Sequence, residues 1–356
     1  MESLVDGLRS TYSGKRIVVT GHNGFKGSWL VGILNYLGAD VDGISLPINN
    51  CSPFQDFHLK GPHRSHEIDI RDLASLSGLI GHLKPELVFH FAAQSLVLDS
   101  YVNPRETFET NVMGTVNLLH SLIPGTYRGI ITTTTDKVYM NDESGTKFKE
   151  SDVLWGHDPY SLSKTGTELV VSAWRNLDMG NNAKFVTVRA GNVIGAGDFS
   201  ENRLLPDLLR GISQKRMVEI RNPESVRPWQ YVLDPLVGYL LIGSKIFSGD
   251  YIDNSYNFGP PDESFISVLE FVHKLNLITP IEYTVNFKRL GREASVLKLD
   301  SSLALADLGW VPVTELEQAL NFCVQLNQEA LSVDKVTSHI NRYFGSAKYS
   351  DVTGAL

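Results

Sequence analysis

Two short groups of residues have the types and spacing for chemistry. Thr135, Asp136 and Lys137 close an apolar run that starts at Gly129, and Tyr160-Ser-Leu-Ser-Lys164 follows. Tyr160 and Lys164 stand i, i+4, which puts both on one face of a helix. An ammonium beside a phenol favours the phenolate and lowers its pKa from about 10 towards working pH. Tyr160 would then accept the proton of an alcohol whose carbon gives up a hydride. The triplet adds the means for a second reaction, loss of water beside a transient ketone. Asp136, raised by burial, would protonate a leaving hydroxyl. Lys137, desolvated or beside another cation, would take the proton alpha to the ketone. Thr135 would hydrogen-bond the reacting hydroxyl. A solvated helix pair and an Asp-Lys surface turn are the plain structural alternatives for these residues.

A hydride needs an acceptor, and the chain has a place for one. Gly21-His-Asn23-Gly24-Phe25-Lys26-Gly27 follows an apolar strand and opens a helix. Glycines at this spacing allow a tight turn, close approach of backbone to a pyrophosphate and close packing of helix on strand. The helix N-terminus then faces the phosphates. A glycine-rich turn without ligand is the alternative. The second strand ends Ile44-Ser-Leu46-Pro47, with neither the acidic residue that would hold a ribose nor an arginine for a 2′-phosphate. The residues therefore do not choose between NAD and NADP. Asp42 lies too early and reads as a solvent-facing strand residue. Asp69 and Ile70 would hold adenine, or Asp69 would cap a helix before Leu73. Ala92, Ala93 and Gln94 offer small residues where the cofactor backbone would pass.

The elements that must position these groups alternate. Strands are expected at 15–20, 41–46, 66–70, 86–91, 128–134 and 183–189, with helices to about 37 and at 104–122 and 158–177. This is the pattern of parallel βα units with helices on both faces. After Gly191 candidate helices at 203–212, 234–246, 265–275, 301–308 and 315–330 mix with short strands. The expected fold is α/β, a Rossmann-type doubly wound parallel sheet with a smaller C-terminal α/β substrate lobe. Its division is 1–190 for the dinucleotide and the Tyr/Lys helix, 191–335 for substrate, and 336–356 as a loosely held tail. The lobe is expected over the carboxyl edge of the sheet, where such folds bind ligands.

Composition narrows the class. The chain has 356 residues, 42% hydrophobic and 20% charged, with a net charge of -8. These values are ordinary for a soluble globular protein and argue against general nucleic-acid binding. Cys51 and Cys323 are the two cysteines, and no Cys/His cluster stands in the sequence. Zinc and a disulfide framework are not expected, and a reduced cytoplasmic setting fits. The N-terminus has no signal-peptide pattern, and the apolar stretch at 236–246 is too short to span a bilayer.

Taken together, the motifs resemble the extended short-chain dehydrogenase/reductase superfamily, and within it the CDP-glucose 4,6-dehydratases of bacterial deoxysugar synthesis. The stretches that carry the likeness are Gly21 to Leu30, Thr110 to Leu119, Thr134 to Tyr139, Gly156 to Lys164, Arg189 to Gly195 and Arg227 to Val232. Lys137 stands where deoxythymidine-sugar dehydratases carry Glu. The resemblance implies bound NAD and a redox-neutral cycle: oxidation at C4, loss of water across C5 and C6, and return of the hydride to C6. It implies that Gln94, Asn192, Arg203, Arg227 and Arg292 bind the nucleotide sugar, arginine suiting phosphate through its paired donors. Surface salt bridges are the alternative for each arginine. It further implies a homodimer or homotetramer joined through the 104–122 and 158–177 helices, and a place in O-antigen and lipopolysaccharide synthesis. Two stretches depart from the pattern: 94–101 lacks the basic residues usual after the glutamine, and 140–154 lacks the usual aromatics. A C4 epimerase, or a dehydratase of another nucleotide sugar, is the competing reading. Asp136 and Lys137 separate the first of these, because an epimerase needs neither acid nor base for elimination.

Overall fold

Ile17-Val-Val19, Leu87-Val-Phe89 and Ile130-Ile131 have no polar side, so each must be covered on both faces. In the computed structural model, which describes residues 3–48, 52–122, 126–177, 182–286, 296–327 and 330–345, they are at most 1% exposed. They form the middle of a seven-stranded parallel sheet. Its order is Ser255–Phe258, Lys184–Ala190, Gly129–Thr133, Leu87–His90, Arg16–Thr20, Asp40–Ser45, Arg64–Glu67. Ile17 pairs with Val41 on one side and Leu87 on the other, so the order reverses at the first strand. The crevice outside that reversal is where ligands of doubly wound sheets bind.

Several expected boundaries move, each for a local reason. The third strand is Arg64–Glu67 rather than 66–70, because Arg64 lies in register with Asp42. Asp42 is buried, not solvent-facing: it accepts from Arg64 at 2.8 and 2.6 Å and meets His66 Nε2 at 2.8 Å. The 104–122 helix carries a π-helical turn, Glu109–Met113, between Pro104–Phe108 and Gly114–Ser121. Residues 265–267 form a strand, and the helix expected from 265 is Val268–Ile278, started by a Ser267/Glu270 capping box.

The smaller lobe is built from a three-stranded sheet, Asn192–Ile194, Val226–Tyr231 and Phe265–Ser267, with helices Leu204–Gln214, Val268–Ile278 and Leu316–Asn327. The division at residue 190 is not the division of the sheet. Its seventh strand, Ser255–Phe258, comes from beyond it, and one continuous hydrophobic core joins Ile17 and Val188 to Tyr231, Leu236 and Phe271. Nor does the tail start at 336. Val333–Phe344 is a helix that packs on Phe25–Tyr36, so close that a Cβ on Gly32 would lie 2.6 Å from Val336 Cγ1. Tyr343 donates to Asp234 at 2.7 Å, and Tyr231 bonds His339. Residues 346–356 lie outside the described residues. Among the described residues no helix is long and apolar enough to cross a membrane.

Five histidines are buried in this core. Burial holds His22, His63 and His339 near pKa 4, and His58 and His90 near 3. Their unfolded pKa is about 6.5, so unfolding takes up protons between about pH 4 and 6.5. Asp234, raised by burial to about 6, works in the opposite sense. Stability should therefore be full above about pH 6.5 and fall as pH drops through the folded pKa values. Urea unfolding between pH 7.5 and 5 should reveal a net uptake of about four protons near pH 5; a flat profile would contradict this burial pattern.

Candidate active site

The first strand ends at Gly21, whose φ of +73° and whose backbone contact leave no room for a side chain. A Cβ there would lie 2.6 Å from Ala92 N, and one on Gly27 would lie 2.2 Å from Gly21 O. Gly24 is the N-cap of Phe25–Tyr36 and gives it no side-chain cap, so the first-turn N–H groups face the crevice. Asn23 donates to Leu46 O at 3.0 Å, while its Oδ1 is buried without a partner. A cradle of this shape, with bare amides and an orphan acceptor, fits a dinucleotide pyrophosphate. It opens into a cleft of about 1040 Å³, also lined by Phe25, Lys26, Asp69, Ile70, Ala92, Ala93 and Gln94. Asp69 is not the helix cap: that is Asp72, which accepts from Ser75 N at 3.2 Å. Asp69 is instead gripped by Arg71, at 2.6 to 3.1 Å.

The helix Pro159–Arg175 starts beside the same cleft, with Asp158 as N-cap and Pro159 in its first turn. Tyr160 and Lys164 share its buried face, as their spacing requires, and both line the cleft. Their electrostatics differ from expectation. Burial raises the Tyr160 phenol above its ordinary value, and the charge of Lys137, the Thr135 hydroxyl and Arg203 pull it back. Lys164 is not among the groups that act on it most strongly. Lys164 Nζ donates to Thr133 O at 3.0 Å, and burial brings its own pKa down to about 8.

The triplet turns at the end of Gly129–Thr133. Thr135 caps a short 3-10 turn, Asp136–Val138, accepting from Lys137 N at 3.3 Å. Its hydroxyl donates to Asp136 Oδ1 at 2.9 Å, and Lys137 Nζ stands 3.6 Å from the same oxygen. Asp136 is 1% exposed and its Oδ2 has no partner. A Cβ on Gly191 would lie 3.2 Å from that oxygen. Thr135 and Lys137 thus reach the cleft, with the carboxyl just beneath them. Behind the turn lies a buried ion pair. Arg189 grips Glu168 at 2.8 and 3.0 Å, Thr134 donates to Glu168 at 2.5 Å, and Arg189 donates to Tyr139 Oη at 2.8 Å. The guanidinium holds the Glu168 carboxyl below the usual carboxylate range despite burial.

Asn192, Arg203 and Arg227 line the far side of the cleft, and Arg292 lies outside the described residues. Arg203 is steered by Asp198 at 2.9 Å and Ser95 at 3.0 Å. Asn192 Oδ1 is buried without a partner. Gln94 folds back on the backbone of Leu96, donating and accepting at 3.0 and 3.1 Å, so its amide is already engaged. Two residues gain roles that spacing alone did not suggest. Lys26, read as part of the loop, turns its ammonium among Arg203, Lys164, Asp136 and Asp198; burial, then Arg203, bring its pKa down to about 7. Three crowded cations would be relieved by a diphosphate. Asn111, in the π turn, donates to Gln94 O at 2.9 Å and Ser163 at 2.8 Å, and so locks the Tyr160 helix to the loop after Phe91.

A dinucleotide cradle, a Tyr/Lys helix and a strand-end carboxyl over one cleft have a recognised relative. The description "NAD dependent epimerase/dehydratase family" covers residues 17–259. The chain belongs to that family. Its cofactor is NAD. The chain is 42% identical over 329 residues to a CDP-glucose 4,6-dehydratase of Salmonella typhimurium, covering 89% of this chain and 91% of the relative. A dTDP-glucose 4,6-dehydratase of Escherichia coli is 26% identical, covering 86% and 91%. The UDP-glucose 4-epimerase of Thermotoga maritima, solved with UDP-glucose, superposes with a TM-score of 0.76 at 25% identity, over 88% of this chain and 98% of that one. The names of these relatives cover different reactions, and the solved structure shares the fold.

The ion pair behind the triplet is open to a direct test. Arg189→Met leaves a buried carboxylate uncompensated and should cost about 3–5 kcal/mol by urea unfolding. Glu168→Leu together with Arg189→Met should recover part of that loss. A single variant as stable as the wild type would show that the pair does not hold the strand end.

Proposed function

We propose that this protein is a nucleotide-sugar 4,6-dehydratase that converts CDP-glucose to CDP-4-keto-6-deoxyglucose. The observation that carries the reading is Asp136: a buried carboxyl, with one oxygen unpartnered, set beside Lys137 at the edge of a cleft that Tyr160 also lines. An oxidation or an epimerisation at C4 uses the tyrosine but has no task for that carboxyl. The 42% identity to a CDP-glucose 4,6-dehydratase supports the nucleotide and the reaction together.

Gly21, Asn23, Gly24, Phe25, Lys26 and Gly27 would hold the cofactor's pyrophosphate side, with Asp69, Ile70, Ala92 and Ala93 along the adenosine. When bound, NAD supplies hydride acceptance and hydride return. Tyr160 takes the proton from the C4 hydroxyl, helped by the positive charge of Lys137 and steadied by Thr135. The resulting C4 ketone acidifies the hydrogen at C5. Asp136, protonated, delivers its proton to the departing C6 hydroxyl, so water leaves rather than hydroxide. Lys137 takes the C5 proton, which requires its amine neutral, and gives it back to C5 when the hydride returns to C6; transfer of a proton between Lys137 and Asp136, 3.6 Å apart, would leave both groups in the forms needed. Asn192, Arg203 and Arg227 bind the nucleotide diphosphate.

Phe108, Met113 and Leu169 are 40%, 50% and 64% exposed on the two helices beside the cleft, which supports a dimer through that face. Leu169→Glu should lower the mass seen by light scattering to that of one chain, and an unchanged mass would move the interface elsewhere. We also place the reaction in the cytoplasm, in the supply of deoxysugars for O-antigen and lipopolysaccharide.

The protein incubated with NAD and CDP-glucose, dTDP-glucose or UDP-glucose should release a product lighter by one water, seen by mass spectrometry, with CDP-glucose preferred. No such product from any of them would end the dehydratase reading. Asp136→Asn should still oxidise C4, so reduced cofactor accumulates at 340 nm, while elimination slows about 100-fold or more. Equal loss of both steps would remove Asp136 from the role of acid.

A further inference from the structure

Three histidines that the proposed chemistry does not use meet under the dinucleotide loop. His22 belongs to the loop itself, His58 to the helix Gln55–Lys60, and His63 stands just before the strand Arg64–Glu67. They are 0%, 5% and 8% exposed. One ring nitrogen of each lies within 4.8 Å of those of the other two. The rings stand edge to face, with centroids 5.5 to 5.9 Å apart. Folding brings His22, of the loop, against His58 and His63, more than thirty residues later in the chain.

Each ring meets a neighbouring side chain through one nitrogen, and the Ile44 carbonyl also acts on the His22 ring. His22 Nε2 meets Ser65 Oγ at 2.7 Å, His58 Nε2 meets Ser28 Oγ at 2.9 Å, and His63 Nδ1 meets the Asn35 amide at 3.5 Å. Nδ1 of His22, Nδ1 of His58 and Nε2 of His63 are buried and unpartnered. For His58 the proton can be placed. Ser28 has two backbone carbonyls for its one hydroxyl proton, Gly24 O at 2.7 Å and His22 O at 3.0 Å, which favours His58 Nε2–H as the donor to its oxygen. The Nδ1 lone pair is then bare. The Asn35 amide nitrogen faces His63 Nδ1, and turning that amide over about its Cβ–Cγ bond would present its oxygen instead and bare Nε2 in the same way. Burial keeps all three rings neutral at neutral pH.

We propose that His22, His58 and His63 bind one transition-metal ion of the zinc class. Phenylalanine would fill this space beside Phe54 and Phe57 as well as histidine does, without leaving buried nitrogens unpaired, each at a cost of about 1–3 kcal/mol. Three neutral imidazoles with a fourth position left open are a known coordination pattern for zinc, and the outer contacts to Ser65, Ser28 and Asn35 orient the rings as such sites require. Oxygen-seeking ions such as Mg²⁺ find no ligand set here. Metal–nitrogen bonds of about 2.0–2.1 Å ask the rings to close by no more than about 1.5 Å. Gly43 and Gly61 provide room at the backs of the rings: a Cβ on either would stand 2.3 Å from His22 or 2.8 Å from His63. Bound there, the ion would tie the dinucleotide loop, through His22, to the 58–63 segment.

Protein stripped with chelator and titrated with Zn²⁺ against a chromophoric competitor should take up one ion per chain, with Mg²⁺ inert. Co²⁺ in place of zinc should give the intense visible bands of a four- or five-coordinate ion. His58→Phe and His63→Phe, which keep the ring packing, should each weaken zinc about 100-fold or more, and Ser65→Ala about 10-fold. NAD binding to the variants, followed by fluorescence, reports whether they fold. Zinc held no more tightly by the wild type than by the double phenylalanine variant overturns the site. If the variants do not fold, the wild type decides: only a pale, six-coordinate Co²⁺ spectrum, or no stoichiometric uptake, also overturns it.

Discussion

The ion pair between Arg189 and Glu168 is the contact on which the arrangement of the cleft depends. Both side chains are 4% exposed, and both belong to elements that must meet at one point: the strand Lys184–Ala190 and the helix Pro159–Arg175. Thr134, at the end of the neighbouring strand, adds its hydroxyl to the carboxylate, and Tyr139 joins from the far side of the triplet. Two charges removed from water are costly unless every donor and acceptor finds a partner. Here the partners are groups whose placement the chemistry needs. The pair therefore fixes where the Thr135–Lys137 turn leaves the sheet, and how deep the tyrosine helix sits against it.

Given that frame, the cleft divides its charge in a useful way. A carboxyl with one idle oxygen lies under the surface, while Lys26, Lys164 and Arg203 crowd above it. Burial lowers the affinity of Lys26 and Lys164 for their protons, at Lys26 the charge of Arg203 adds to it, and a bound diphosphate would restore it. The protein is thus electrostatically unfinished without its anionic ligands, which is one way binding energy is directed to a reacting centre. Asn111 shows the same economy. A single amide in a π-helical turn couples the loop that carries Gln94 to the helix that carries Tyr160.

How much of this was legible in the sequence depended on distance along the chain. The glycine loop, the Tyr160/Lys164 face and the strand-end triplet are local, because a turn or an i, i+4 step settles their geometry. That the central strands are covered on both faces followed from uninterrupted apolar runs, whereas their order did not. What escaped was made by pairs far apart. Asp42 read as a surface residue until register put Arg64 beside it. The seventh strand, Ser255–Phe258, is short and follows the lobe's helices, so nothing nearby assigns it to the first sheet. Lys164 shares the expected buried face with Tyr160, but its ammonium also donates to the Thr133 carbonyl, a contact that spacing along the helix does not show. Polar composition suggested a tail where Tyr343 and His339 instead reach back to Asp234 and Tyr231.

That last helix has a bearing on how the chain is made. Phe25–Tyr36 emerges from the ribosome early, whereas Val333–Phe344, which covers Gly32, follows about 300 residues later. At about 5–20 residues per second, the helix of the dinucleotide loop waits on the order of 15–60 s for its cover. During synthesis its apolar flank is a surface for chaperones, and a chain cut short before residue 333 would keep that flank bare. The helix that cradles the cofactor thus gains its cover only after the sheet and the lobe between the two helices have been made.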